Sequence, residues 1–174
     1  MQNQSAPTIP AQLLAIPSGD AGTKVTLAIM RRMARRYKKS VPLRQLALNI
    51  IRDLPTGPSG KNFFGQVERI QDYVRNNIQY VRDINGVETV QTPDRTLDNR
   101  AGDCDDQSLL VATLLETIGH RTRFVAIKMS VFGPFVHVFA ETKIGRRWLP
   151  VETTENWPVG MHPPKFSTRY VVHN

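Results

Sequence analysis

The stretch from Gly102 to Gly119 leaves this chain few ways to fold. Leu109, Leu110, Val111, Ala112, Leu114, Leu115 and Ile118 follow Ala101-Gly102-Asp103-Cys104-Asp105-Asp106-Gln107, and Gly119 stops the run. Wound as a helix, Ser108–Ile118 is apolar nearly all round. Such a helix has no side it can show to water, so other elements must cover it on every face. The sequence predicts a fold assembled around this one helix.

The flanking segments supply the cover. Upstream, apolar residues recur at helical spacing. Ile29, Met33 and Tyr37 mark one face of a helix over Thr23–Lys39, and Leu43, Leu46, Ala47, Ile50, Ile51 and Leu54 form a second stripe after Ser40-Val41-Pro42. Pro55 to Gly60 breaks the pattern, and Phe63, Val67, Ile70 and Val74 mark a third helix. Downstream of Gly119 the period changes to two. Arg123–Ser130, Phe135–Thr142 and Arg147–Thr153 read as strands, with Gly133-Pro134 and Gly145 as turns of an antiparallel meander. Helices followed by strands give an α+β fold. The organisation expected is an extended arm over 1–22, basic and amphipathic helices over 23–60, a core over 61–157 and a tail over 158–174. Asp83 to Arg100 reads as a long irregular loop, and such loops in a compact domain are more often functional than idle.

At 174 residues one domain can bury a full core without covalent staples. The single cysteine excludes an internal disulfide framework and any multi-cysteine zinc or iron–sulfur site, so no metal or cofactor is expected. The net charge of +8 suggests an anionic partner until it is located. Lys24, Arg31, Arg32, Arg35, Arg36, Lys38 and Lys39 lie in one N-terminal segment with no acid among them, and the rest of the chain is nearly balanced. Arg31, Arg32, Arg35 and Arg36 are therefore the candidate partner-binding residues, set against the plainer reading of a solvated helix face. No aromatic platform accompanies them, so nucleic acid is not expected as a partner. No run of about 18 apolar residues could span a bilayer, and the first twenty residues lack a basic, then apolar, signal pattern. The expected location is a cytoplasm or a particle assembled there.

Cys104 opens the central helix, where unpaired backbone N–H groups and the helix dipole favour a thiolate. Asp105 and Asp106 beside it act the other way, so a partner base is required. His120 follows the helix-stopping Gly119 and is expected at the surface. His162 and His173 lie in the Pro-rich tail. His137 starts a strand, among Val136, Val138 and Phe139, and a strand packed on the central helix could bring it over Cys104. The next strand offers Glu152 to fix the imidazole ring. Each has a plain reading: a small core cysteine, a structural histidine, a solvated strand-end carboxylate. Their order in the chain is what joins them.

Gly102-Asp103-Cys104-Asp105-Asp106, the Leu-rich helix ending at Gly119, His137-Val138 and Trp148-Leu149-Pro150-Val151-Glu152 resemble the transglutaminase-like superfamily of the papain-like thiol hydrolase fold, over about 76–154. The resemblance implies a central helix carrying the cysteine on an antiparallel sheet, with extra N-terminal helices here. It implies Cys104 as nucleophile, His137 as general base and acid, and Glu152 orienting the ring. The family more often has Asp at that last place, and Asn156 is the second choice for the role. The Cys104 N–H would be one oxyanion donor, with Gln91 or Tyr80 as the other. The activity implied is acyl transfer on a protein or peptide, as a peptidase or amidase with water as acceptor or a cross-linker with a lysine amine. Tyr80-Val81-Arg82-Asp83, Gly86-Val87-Glu88 and Gln91-Thr92-Pro93, with Ile16-Pro17-Ser18-Gly19-Asp20 and Gly22-Thr23 upstream, resemble members found in bacteriophages and prophages. That narrower likeness implies phage structural proteins as partners of the arm and basic helix. It also leaves open a virion structural or adaptor protein that keeps the fold without the chemistry.

Overall fold

Between residues 19 and 77 three helices turn their apolar stripes toward one axis. The computed structural model describes residues 19–57, 60–82, 89–163 and 165–174. Helix α1 (Gly19–Tyr37) buries Thr26, Leu27, Met30 and Ala34, while Met33 and Tyr37 pack at the edge of that face. It begins four residues before the expected Thr23, so 19–22 belong to the helix and not to an arm; 1–18 lie outside the described residues. Asp20 in its first turn suits the positive end of the dipole. Helix α2 (Val41–Ile50) starts on Ser40, whose hydroxyl accepts the Leu43 N–H at 3.5 Å, with Pro42 in the first turn where a missing N–H costs nothing. Helix α3 (Phe63–Asn77) starts on Asn62, which accepts the Gly65 N–H at 2.9 Å, and buries Val67, Ile70, Gln71 and Val74.

The expected loop over 83–100 is partly ordered. Its residues 83–88 lie outside the described residues, but Pro93–Asn99 form a short helix, α4, entered at Thr92. Pro93 pre-sets the first turn, and Arg100 ends the helix in the left-handed region at φ 52°. On either side of it, β1 (Gln79–Tyr80) and β2 (Ala101–Gly102) pair in parallel, Tyr80 opposite Gly102. This pair returns the chain to the head of the central helix.

Helix α5 (Cys104–Thr117) is that central helix. Ten of its residues in the unbroken run from Asp106 to Leu115 are buried. Helices α1, α2 and α3 cover one side of it and the sheet covers the other, as an all-apolar surface requires. The sheet has the order β5-β4-β3-β6, built from β3 (Thr122–Lys128), β4 (His137–Ile144), β5 (Arg147–Val151) and β6 (Thr168–His173), antiparallel throughout. The fold is α+β as expected, with the meander in place. The 158–174 segment departs from the expected tail, because its last residues form β6 and pair with β3 from Arg123↔His173 to Lys128↔Thr168. Alternation explains the strand. Tyr170 and Val172 face the main core, while Val171 joins Val125, Ile127 and Phe139 on the other face.

His120 also departs from expectation. It is 8% exposed, its Nε2 lies 2.9 Å from Gln66 Oε1, and the Phe63 ring meets it edge-on. Burial holds its pKa below the usual histidine value. The helix stops at Gly119, but the chain turns inward there because the His120 N–H returns to the Leu115 carbonyl at 3.1 Å.

Candidate active site

The start of α5 is a rigid construction around Asp103. Asp103 Oδ1 accepts the N–H groups of Asp105 at 2.9 Å and Asp106 at 3.2 Å, and the Asp106 carboxylate returns to the Asp103 N–H at 3.4 Å. This is a capping box closed by aspartate in place of the usual glutamate or glutamine. The cap is spent on Asp105 and Asp106, not on the amide of Cys104. Asp106 also accepts the backbone N–H of Gln91 at 2.7 Å and its side-chain Nε2 at 2.7 Å, tying the helix head to the segment before α4. Gly102 completes the corner. A Cβ there would stand 2.6 Å from Asp106 Cβ, closer than such atoms come.

Cys104 sits half-buried on this corner and is a free thiol. Its Sγ–H points to Asp105 Oδ1 at 3.7 Å. One turn on, Ser108 Oγ donates to the Val138 carbonyl at 3.2 Å, tying α5 to the β4 residue next to His137. Burial holds the Cys104 thiol well above its ordinary pKa. The charges of Asp105 and Asp103 push the same way, the Val138 amide opposes them, and the Glu152 charge adds to the rise. The expected benefit of the helix dipole is outweighed, and the resting group is a thiol. The acids act as expected for Asp105; Asp106 is absorbed by the cap and by Gln91.

His137 and Glu152 meet as the strand order predicts. Glu152 directly follows β5, and its Oε2 lies 2.6 Å from His137 Nε2. Glu152 is 1% exposed, and its Oε1 accepts both the N–H and the hydroxyl of Thr154 at 2.8 Å. Burial raises the Glu152 pKa, but the His137 hydrogen bond and charge and the two Thr154 bonds outweigh it. The carboxyl is held below its usual range and is ionised. With Nε2 committed, Nδ1 is the ring nitrogen left for proton transfer. The Glu152 charge also contributes, as the smallest cause, to the raised pKa of Cys104.

The second-choice residues separate. Asn156 is exposed on the loop beyond Glu152 and does not take the orienting role. Gln91 is removed as an oxyanion donor. Its two amide hydrogens go to Ala101 O at 3.1 Å and Asp106 Oδ2 at 2.7 Å, and its Oε1 accepts from Asn99 at 2.7 Å. Tyr80 stays beside the site. Burial raises its pKa first and the Cys104 charge second, while Arg82 lowers it through a hydrogen bond to the phenol oxygen. Arg31, Arg32, Arg35 and Arg36 are all exposed along α1, away from this corner.

Two supports were not foreseen. Gln71 is buried in the apolar stripe of α3, and its Nε2 donates to the Glu152 carbonyl at 2.6 Å and to Trp157 O at 3.1 Å. Arg75, one turn later, donates to the same Trp157 carbonyl at 3.0 Å. Together they hold the 152–157 segment that presents Glu152. The signal was a glutamine between Ile70 and Val74 on a core face, a polar residue that needs a buried partner. Thr154, two residues after Glu152, carried the signature of a local hydroxyl–carboxylate bond.

A family model described as the transglutaminase-like superfamily matches residues 50–153 of the chain. No curated protein matches it. Among solved structures, a candidate protease from Parabacteroides distasonis is 14% identical with a TM-score of 0.57, covering 76% of this chain and 27% of that one. A candidate cysteine protease from Cytophaga hutchinsonii is 20% identical with a TM-score of 0.54, covering 84% and 55%. Legionella pneumophila LapG, treated with EGTA, is 14% identical with a TM-score of 0.53, covering 79% and 77%. The chain thus spans about a quarter and about half of the first two proteins. At these identities the likeness is one of fold.

Proposed function

Because this chain belongs to the transglutaminase-like superfamily, we propose that it is a cysteine-dependent acyl-transfer enzyme, a peptidase or amidase working through Cys104, His137 and Glu152. The observation that carries this reading is the 2.6 Å pairing of His137 Nε2 with a fully buried, ionised Glu152, at the end of the sheet that packs on the Cys104 corner. A buried carboxylate fixed by Thr154 and aimed at an imidazole is costly to build for structure alone.

In this reading the Cys104 thiol leaves Asp105, passes its proton to His137 Nδ1 and attacks the amide carbonyl carbon. The negative charge on the carbonyl oxygen is met by the Cys104 N–H, which the cap leaves unused, and by the Tyr80 hydroxyl. With Arg82 donating to the Tyr80 oxygen, the phenol proton is free to point elsewhere. The tetrahedral adduct collapses, and His137 returns the proton to the departing amine. Water, deprotonated by His137, then cleaves the thioester and restores the thiol. Glu152 keeps Nε2–H in place and stabilises the imidazolium in both halves. A peptide or protein substrate fits the two protease-named neighbours.

The test is labelling with an electrophilic thiol probe near neutral pH, read by intact mass. Wild type should form a Cys104 adduct although its resting thiol is protonated, because His137 takes the proton as the adduct forms, and His137→Ala should slow this labelling at least about tenfold with its fold intact by circular dichroism. Equal rates for wild type and His137→Ala would sink the proposal.

A second reading has its own observation. Arg31, Arg32, Arg35 and Arg36 are exposed on one helix and make no ion pair among the described residues. They would suit docking in a phage particle, with the fold kept as an adaptor. That reading expects Cys104→Ala to leave assembly intact and the fourfold Arg→Glu variant to abolish it. The reverse pattern would remove it.

A further inference from the structure

The far end of α5 from Cys104 opens into a cavity of about 620 Å³, lined by Lys38, Lys39, Arg44, Glu116, Arg121 and Trp148 among others. A helix of this length places it about 20 Å from the thiol. Four cations surround it against one carboxylate side chain. Some of that charge answers the negative end of the helix dipole, and Lys38 Nζ stands 4.0 Å from Glu116 Oε2. Lys39, Arg44 and Arg121 make no ion pair among the described residues. Their side chains come from the α1–α2 junction, α2 and the turn before β3, three separate elements converging on one concavity.

A second observation concerns acceptors. Glu116 is 6% exposed at its side chain, and its Oε1 accepts the Thr122 hydroxyl at 2.7 Å. Its Oε2 is buried on the wall of this cavity and accepts no hydrogen bond, and so is Asn174 Oδ1 on the same wall. A buried acceptor without a donor is costly and wants one. The cavity therefore offers guanidinium and ammonium donors for an anion, and just behind its wall lie two acceptors that a shift of Lys38 and the Asn174 side chain would open to hydroxyl or amine hydrogens. Its volume is that of a small-molecule site and not of an extended chain. Arg31, Arg35 and their neighbours run along α1 toward it and would draw anions in.

We propose that this cavity binds a small phosphate ester carrying hydroxyl groups, a sugar phosphate or nucleotide, through Arg44, Arg121 and the two lysines on the phosphate and Glu116 on a hydroxyl. Arginine suits the phosphate because its planar fork can donate two parallel bonds. The site is separate from the Cys104 corner, and its occupation does not depend on whether that corner is catalytic.

The chain carries two tryptophans, Trp148 and Trp157. Trp157→Phe leaves Trp148, on the cavity wall, as the one reporter of fluorescence. Titrated at low salt with ribose 5-phosphate, inorganic phosphate and ribose, this variant should saturate with ribose 5-phosphate about tenfold more tightly than with inorganic phosphate, and not respond to ribose. Adding Arg44→Ala and Arg121→Ala should abolish the response, and Glu116→Ala should level ribose 5-phosphate with inorganic phosphate. Circular dichroism of each variant separates lost binding from lost fold. No saturable response to either phosphate, a response unchanged in the Arg44→Ala/Arg121→Ala variant, or a response to oligonucleotide DNA alone would overturn the proposal.

Discussion

His137 Nε2 lies 2.6 Å from Glu152 Oε2, and that pairing leaves Nδ1 as the ring nitrogen open to another partner. The other carboxylate oxygen of Glu152, Oε1, is held by the Thr154 N–H and hydroxyl, both at 2.8 Å. The Gln71 bond to the Glu152 carbonyl holds the same segment from the helix side.

The first prediction concerns this pair. Glu152→Gln keeps the shape but offers an amide that can present N–H where a carboxylate is needed, selecting the wrong tautomer. The rate of Cys104 acylation should fall by about 10²- to 10⁴-fold. Stopped-flow burst kinetics on an activated ester would check it. A rate within about twofold of wild type would remove Glu152 from the mechanism.

The thiol is restrained by its neighbours. Asp105 accepts the S–H at 3.7 Å, and its charge follows burial as a cause of the raised pKa. Asp105→Asn removes the charge and keeps an acceptor. The thiol pKa should drop, and alkylation near neutral pH should speed up by about threefold to tenfold. The pH dependence of iodoacetamide labelling measures both. A slower variant would show that Asp105 assists the thiol.

Glu152 should make stability acid-sensitive. Its folded pKa is below the ordinary carboxylate value, so the unfolded chain takes up the proton first as pH falls. Its stabilisation is complete above the unfolded pKa and is lost as pH drops through the folded one. The midpoint of urea unfolding should decline below about pH 4.5 in wild type and decline less in Glu152→Gln.

His120 gives a separate signal at higher pH. Its folded pKa is depressed by burial, so below the unfolded value near 6.5 the unfolded chain binds a proton that the folded chain refuses. Stability should fall as pH drops from that value to the folded pKa and then level off. His120→Gln should flatten this part of a melting-temperature profile. An unchanged profile would mean that His120 protonates in place.

Gly102 tests the corner itself. The alanine Cβ would collide with Asp106 Cβ at 2.6 Å, and Asp106 cannot retreat without opening the capping box and releasing Gln91. Gly102→Ala should cost about 1–3 kcal/mol in chemical denaturation. Cys104 labelling should change with it, because the thiol shares that corner.

The sequence by itself determined the three N-terminal helices, the central helix and the three strands of the meander, and their order. An all-apolar helix has to be central, a change of period from 3.6 to 2 marks the passage from helices to strands, and Gly119 and Gly145 mark stops and turns. Cys104, His137 and Glu152 were legible because each stands at the end of such an element. Tertiary structure decided what local pattern cannot carry. The residues 168–173 became a strand because β3 had an edge to pair with. His120 turned inward because Gln66 and Phe63 received it. Gln91 was taken out of the oxyanion role by Asp106, a partner fifteen residues away. The resting state of Cys104 is also a tertiary outcome. A helix start favours the thiolate through a local field, but desolvation and the nearby acids, set by packing, are larger and keep the proton on sulfur.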